Sequence, residues 1–233
     1  MSSLIDILLN MTSNIKLIKT EDGSHSLYVK ELDETYHSNH GAIQESNHIF
    51  IKAGFDYVLS NHPNLPHINI LEFGFGTGLN ALLTAKRSSN EGKVIYETLE
   101  KYPLPQDITQ ELNYGKILGD ETLFEKILSA EWEDAIEISA SFLLKKIKVD
   151  FRDFSSSPKY HLIYFDAFAP NKQPNLWAKP IFEKCYDLLI PGGAMVTYSA
   201  KGQFKRDLKA IGFEVESLPG PPGKFEITRA IKG

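Results

Sequence analysis

The sequence predicts an α/β protein built on an open, mainly parallel sheet of seven strands. An apolar run over 68–73 leads into glycines at 74, 76 and 78 and then into an apolar helix-forming stretch, which is typical of strand, tight turn and helix. Similar apolar runs alternate with helical patterns further along. The last two runs, 213–218 and 225–231, are separated by six residues, too few for a parallel crossover. The sheet is therefore predicted to end in an antiparallel hairpin.

Residues 1–66 are predicted to form a hairpin and helix that cover the ligand site, ahead of a main domain over 67–233. Two strand-like runs, 15–20 and 25–30, flank Asp22-Gly23, a common hairpin turn. Helical periodicity follows over 49–59. The apolar patch over 1–11 has no basic lead-in, so no signal peptide is predicted.

Two further runs end in carboxylates that are candidates for ligand binding. A strand over 93–100 ends in Glu100, 22 residues after Gly78, where an acidic residue can accept the hydroxyls of a ribose. The most apolar run, 160–166, ends in Asp166. Ligands of open α/β sheets bind at these carboxyl ends, so both side chains are predicted at one site.

The segment between these strands is predicted to be largely helical over 106–130. Two strands, 137–144 and 148–154, are then expected around a lysine-rich turn. The second strand would end in Asp153-Phe154, where an acid and an aromatic ring suit an adenine.

Composition limits the classes of function. Hydrophobic residues make up 42% of the 233 residues, and no run is long enough to span a membrane. The one cysteine, Cys185, favours a reducing compartment, so we expect a cytoplasmic protein. No His/Cys cluster has metal-ligand spacing, and no metal is predicted.

Charge is distributed unevenly along the chain. Residues 1–140 carry 10 Lys and Arg against 21 Asp and Glu, whereas 141–233 carry 15 against 9. This asymmetry is compatible with a polyanionic partner at the C-terminal half, and equally with ordinary solvated charge. The net charge of −5 argues against tight nonspecific binding to nucleic acid.

The glycine turn by itself also fits a dinucleotide-binding fingerprint. The predicted C-terminal hairpin distinguishes the two, because a seven-stranded sheet with that ending is the Class I, Rossmann-like methyltransferase arrangement. By analogy of fold, this favours S-adenosyl-methionine over a nicotinamide cofactor.

Several blocks resemble the methyltransferase domain of the MnmC family, in similar order and spacing from about residue 36 to the C-terminus. They are residues 71–80, 100–103, 166–170 with Trp177, and 191–199, preceded by Ser38-Asn39 and Gln44-Glu45-Ser46. The region 118–140 matches the family poorly, so the resemblance implies no substrate contacts there.

The resemblance implies S-adenosyl-methionine-dependent methylation of the 5-aminomethyl group of wobble (2-thio)uridine in the anticodon stem-loop of tRNA. In the fused form of the family an FAD-dependent oxidoreductase domain follows. No second glycine fingerprint occurs in this sequence, so we expect a stand-alone methyltransferase without FAD, with any upstream oxidoreductase on a separate protein.

The resemblance also implies a set of site residues. Asp166 is expected to hold the amine and accept its proton. The expected cofactor-binding residues are Ser38, Asn39, Glu45, Glu72, Gly74, Gly76, Gly78, Asn80, Glu100, Lys101, Asp153 and Phe154. The expected substrate contacts are Phe168, Pro170, Trp177, Lys201 and Arg206. For Phe168 and Trp177, burial in the core is an equally open interpretation. For Lys201 and Arg206, the equally open interpretation is a solvent-exposed helix face.

Three alternatives remain at this stage. An aminopropyltransferase would share the glycine turn and the aspartate, but the Asp-Pro loop expected of that family is replaced by Ala167-Phe168-Ala169-Pro170. A small-amine methyltransferase would share every cofactor residue. A non-enzymatic nucleotide-binding module would bind the cofactor without turnover.

Overall fold

The computed structural model describes residues 14–89, 92–157 and 159–233; the apolar patch at 1–11 lies outside them. Its first three strands, β1 Ile15–Lys19, β2 His25–Val29 and β3 Glu34–Thr35, form a small antiparallel sheet. Asp22 Oδ1 accepts the Ser24 amide at 3.0 Å and closes the turn. The predicted N-terminal hairpin is therefore present.

One larger sheet organises the rest of the described chain. Its strands are β4 His67–Phe73, β5 Lys93–Leu99, β6 Ala135–Ser139, β7 Phe142–Ile147, β8 Tyr160–Phe165, β9 Leu189–Thr197, β10 Phe213–Pro219 and β11 Glu226–Lys232. Their order across the sheet is β10-β11-β9-β8-β4-β5-β7-β6. The central strands are parallel, and β11 is antiparallel to both β9 and β10. The C-terminal hairpin is confirmed.

Helices cover both faces of this sheet. They are α1 Ala42–Ser46, a π-helical continuation Asn47–Phe55, α2 Asp56–Asn61, α3 Leu79–Ser88, α4 Gln106–Thr109, α5 Tyr114–Ile117, α6 Glu121–Ser129, α7 Lys179–Leu188 and α8 Gly202–Ile211, with a 3-10 turn at Pro174–Trp177. Within the described ranges, none of these helices has the length and apolar character needed to cross a membrane.

Alternating side chains of the central strands form two cores. Leu162 and Tyr164 of β8 pack into one core, and Ile163 and Phe165 pack into the other. This two-sided burial is what a central parallel strand requires. The helical segment from residue 42 to 61 contributes Ile49 to the first core, so the N-terminal extension packs on the sheet itself.

The sequence prediction was wrong for residues 137–154. The reversal falls at residues 140 and 141, between β6 and β7, and not at the lysine-rich stretch, which lies inside β7. Residues 148–154 form a turn and loop. In addition, β6 pairs antiparallel with the outer edge of β7, so the sheet has eight strands where seven were predicted.

Candidate active site

A cleft of about 440 Å³ lies where β4, β5, β8 and β9 end. Its floor is the turn from Gly74 to Gly78, which connects β4 to α3. Gly74 and Gly76 have φ of 98° and 49°, in the left-handed region that other residues rarely adopt. A Cβ at Gly74 would lie 3.1 Å from the Asp166 carbonyl oxygen, and one at Gly76 would lie 3.2 Å from the Tyr36 ring. The turn therefore presents bare backbone to the cleft.

A buried amide connects two carboxylates beside this turn. Asn80 Nδ2 donates to Asp166 Oδ2 at 2.8 Å and to Glu72 Oε1 at 3.1 Å. Burial raises the pKa of Glu72 to about 8 and that of Asp166 to about 7, because a desolvated carboxylate is unfavourable. Asp166 lines the cleft, so a carboxylate that titrates near neutral pH faces the space above the turn.

Glu100 lies at the end of β5 and also faces the cleft. Its carboxylate accepts the backbone amides of Gly76 at 3.2 Å and Tyr102 at 2.9 Å. Burial raises the pKa of Glu100, although these amides oppose the rise. The side chain is thus held against the glycine turn, where a ribose above the turn would be within reach.

The N-terminal extension closes one side of the cleft. Glu45 accepts the Ser38 amide at 2.8 Å and lies 3.3 Å from Lys224 Nζ. The Tyr36 ring packs edge-on against Phe168 at 4.9 Å. Asn39 lies elsewhere: it lines a separate shallow hollow beside β1 and β2, and its carbonyl accepts the Glu21 amide.

The wall after β7 is built from residues other than those predicted. Asp150 lines the cleft, together with Phe151 and Arg152, whereas Asp153 and Phe154 do not. Asp150 Oδ2 lies 2.7 Å from both Arg152 and Lys101, and these hydrogen bonds hold the pKa of Asp150 well below its usual range. Because 148–154 is a loop and not a strand, alternation along the sequence could not predict which carboxylate faces inward.

The predicted substrate residues separate into two groups. Phe168 lines the cleft. Trp177 is only 9% exposed; its indole N–H donates to the Phe168 carbonyl, and its ring packs edge-on against Phe165 and Phe204. This places Trp177 in the core.

The other predicted substrate contacts lie outside the cleft lining. Pro170 follows two residues after Phe168. Lys201 precedes α8 and Arg206 lies within it, where the Arg206 guanidinium donates to Gln203 at 2.8 Å.

Sequence reasoning missed several residues that line the cleft. They are Tyr36, His37, Phe75, Asp150, Tyr198 and Lys224. Tyr36 and His37 directly precede Ser38, a predicted cofactor-binding residue, and Tyr198 directly follows the end of β9. These positions in the sequence could have indicated that all three residues line the cleft. The sequence analysis placed Lys224 only in the turn between the last two strands. No pattern in the neighbouring residues indicated that its side chain reaches the cleft.

In the described residues, no group of three or more His, Cys, Asp and Glu side chains is arranged to hold a metal ion. The bare turn and the carboxylate of Glu100 fit a nucleoside cofactor.

Comparison with known proteins shows similarity to methyltransferases. Residues 122–233 match the model of a family described as S-adenosyl-L-methionine-dependent methyltransferase. The sheet order and the glycine turn agree with this match, which covers just under half of the chain. The likeness to spermidine synthase from Thermotoga maritima, at 17% identity and a TM-score of 0.55 over 94% of this chain and 69% of that one, concerns the fold alone.

The particular resemblance is to MnmC. The chain is 29% identical over 226 residues to the tRNA 5-methylaminomethyl-2-thiouridine biosynthesis bifunctional protein MnmC of Cupriavidus metallidurans, covering 91% of this chain and 33% of that protein. It is 31% identical to the protein of the same name from Pseudoalteromonas atlantica, over 85% of this chain and 31% of that protein. The chain thus spans about a third of the length of these relatives.

A solved structure shows the same relationship. The crystal structure of MnmC2 from Aquifex aeolicus superimposes with a TM-score of 0.71 at 26% identity, over 93% of this chain and 70% of that one. The resemblance to the MnmC methyltransferase domain that the sequence motifs indicated is confirmed.

Proposed function

We propose that this protein methylates the primary amine of 5-aminomethyl-(2-thio)uridine at the wobble position of tRNA, giving the 5-methylaminomethyl nucleoside. The observation that carries the proposal is the Asp166 carboxylate, which faces the cleft beside the glycine turn with a pKa of about 7. The proposed substrate comes from the MnmC relatives, which are named for the biosynthesis of 5-methylaminomethyl-2-thiouridine in tRNA.

The cleft residues suit a cofactor of this kind. When bound, S-adenosyl-methionine supplies a methyl group on a positively charged sulfur. We propose that the backbone of Gly74, Gly76 and Gly78 lies against its methionine part and that Glu100 accepts the ribose hydroxyls. Ser38 and Glu45 close the site from the N-terminal side, and Glu72 supports it through Asn80.

The adenine is proposed to lie against the wall formed by Asp150, Phe151 and Arg152. Asp153 was the sequence-based candidate for this contact, and its role stays a prediction. The comparison of Asp150→Ala with Asp153→Ala separates the two, because only the residue in contact with the cofactor should weaken its equilibrium binding when removed.

Asp166 is proposed to position and deprotonate the amine. A free alkylamine is mostly protonated at neutral pH, by analogy with a lysine pKa of about 10.4, and a protonated amine has no lone pair to attack the methyl carbon. As the new C–N bond forms and the C–S bond breaks, the nitrogen must lose one proton. A carboxylate that titrates near neutral pH is suited to accept it.

The RNA-binding surface is proposed to start at Phe168, which can stack on an unpaired base entering the cleft. Lys201, which precedes α8, and Arg206, which lies within it, are proposed to contact the phosphate backbone. Trp177 is buried, so we propose that it supports Phe168 through its hydrogen bond and does not itself stack on the base.

The test is transfer of label from methyl-labelled S-adenosyl-methionine into tRNA carrying 5-aminomethyluridine. Label is expected in that tRNA and not in unmodified transcript or in spermidine precursors. A small-amine methyltransferase would instead label the free amine, and an aminopropyltransferase would label neither, because the methyl group stays on its methylthioadenosine product. Failure to label the modified tRNA by protein that binds the cofactor would refute the tRNA assignment.

The same assay tests Asp166. Asp166→Ala should abolish methyl transfer with limited loss of cofactor binding, whereas Asp187→Ala, which removes an exposed carboxylate on α7, should leave both unchanged. Equal loss of transfer and binding in Asp166→Ala would reassign this residue to the cofactor.

A further inference from the structure

Phe225 is the most exposed large hydrophobic residue of the described chain, with 92% of its surface accessible, against 45% for Ile117. A single exposed apolar side chain is ordinary on a protein surface. A functional role for this ring therefore depends on its position and on the residues around it.

Phe225 is next in sequence to a residue of the cleft but is not itself part of the cleft lining. It follows directly on Lys224, which lines the cleft and reaches into it: Lys224 Nζ lies 3.3 Å from Glu45 Oε1 and 4.8 Å from the centre of the Tyr198 ring. Consecutive Cα atoms are about 3.8 Å apart. The Phe225 backbone is therefore adjacent to the cleft that contains Asp166, and its ring is exposed to solvent.

The loop that carries Phe225 is held in one conformation. The Phe225 carbonyl accepts the Gly220 amide at 3.0 Å, and the Pro221 carbonyl accepts the Lys224 amide at 2.9 Å. His48 Nε2 lies 2.7 Å from the Pro219 carbonyl oxygen, which ties the loop to the helical segment at 47–55. The backbone that carries the ring is thus ordered before binding, so only the side-chain torsions of Phe225 lose freedom when the ring contacts a partner.

Two lysines, one in the cleft lining and one before α8, have no protein partner among the described residues; α8 itself contacts the end of the loop through Lys205 and Glu226. Lys172 lines the cleft, and Lys201 follows three residues after Tyr198 and is exposed. Neither side chain makes a hydrogen bond or ion pair with a described residue. Unpaired ammonium groups together with an exposed aromatic ring are the combination that binds single-stranded nucleic acid, where phosphates contact the cations and bases stack on the ring.

We infer that Phe225 is a stacking platform for an unpaired base of the RNA substrate that neighbours the nucleotide in the cleft. The inference rests on the proposed function and deepens it. It assigns to the hairpin loop over 219–225 the recognition of RNA outside the methylated nucleotide, a role that no reacting group in the cleft can perform.

The experiment measures KM and kcat of methyl transfer into an anticodon stem-loop that carries 5-aminomethyluridine. Phe225→Ala is expected to raise KM for this RNA on the order of tenfold, as loss of a base stacked on an aromatic ring does, with kcat and cofactor binding unchanged. Phe225→Trp should retain the wild-type KM, and Phe225→Leu, which keeps the apolar volume but has no π face, should resemble alanine. Ile117→Ala is the matched control, because it removes an exposed apolar side chain from α5, outside the loop and the cleft lining.

A second substrate identifies the base. Two stem-loops are compared, each with an abasic site on one side of the modified uridine. For one of them, the KM of the wild-type protein should rise to that of Phe225→Ala, and the KM of Phe225→Ala should not change. Three results for Phe225→Ala would each overturn the inference. They are a KM equal to that of the wild type, a loss of cofactor binding, and a change in sedimentation, which would mean that the ring contacts another protein chain. If the wild-type protein methylates no RNA, the proposed function itself has failed, which is a separate outcome.

Discussion

Replacement of Asn80 by leucine tests whether the bridging amide controls the protonation of Asp166. The amide nitrogen lies 2.8 Å from Asp166 and 3.1 Å from Glu72. Leucine has nearly the same shape but donates no hydrogen bond. Burial raises the pKa of Asp166 to about 7 and the amide opposes this rise, so loss of the amide should raise the pKa further.

The size of the effect follows from the strength of the bond. A hydrogen bond to a charged group contributes about 1.5–3 kcal/mol, and a pKa change of one corresponds to about 1.4 kcal/mol. The pKa of Asp166 should therefore rise by about 1–2. At pH 7 the ionised fraction would fall from about one half to between about 10% and 1%. This predicts a loss of about 5- to 50-fold in kcat/KM, recovered at high pH.

The assay is the pH dependence of kcat/KM for methyl transfer between pH 5.5 and 10. The acid limb of Asn80→Leu should lie at higher pH than that of the wild type. Thr84→Val, which removes a buried hydroxyl that bonds to the Asn80 carbonyl at 2.7 Å and touches neither carboxylate, should leave the limb in place. An equal loss at every pH would refute the reasoning and assign Asn80 to cofactor binding alone.

Three further predictions concern the turn, the buried acid and the core. Gly76→Ala should sharply weaken cofactor binding in calorimetry, because its Cβ would lie 3.2 Å from Tyr36, whereas Gly92→Ala, with φ of 107° and open space around it, should bind normally. Burial raises the pKa of Glu72 from 4.5 to about 8, so the folded state holds a proton there and loses stability as pH rises through this range. Glu72→Gln should therefore reduce the fall in Tm between pH 5 and pH 8. A fall in Tm equal to that of the wild type would contradict this prediction. Trp177→Ala should cost about 3–5 kcal/mol in urea unfolding, and a loss below about 1 kcal/mol would show that the ring is not part of the core.

Much of the site was predictable because it lies at the ends of strands. The apolar runs identified β4, β5 and β8 to within one or two residues, and the residue that follows each run is placed at the carboxyl edge of the sheet by the geometry of parallel strands. Gly74, Glu100 and Asp166 are therefore brought together as the sequence indicated.

Residues in loops were predicted less well. Asp150 and Asp153 lie three positions apart in the same acidic and aromatic segment, and only the folded loop decides that Asp150 faces the cleft. Trp177 has the composition of a stacking residue, but its neighbours Phe165 and Phe204 come from distant parts of the chain and bury it.

Sequence alone determined the fold class and the strand-end chemistry, since strand periodicity and the short C-terminal connection are local properties of the chain. The tertiary structure decided which side chains meet across elements. Asn80 bridges Glu72 and Asp166, and Lys224 crosses from the C-terminal hairpin to Glu45 of the N-terminal extension. Such contacts join residues that are far apart in sequence, and the free energy of packing the whole chain, not any local pattern, selects them.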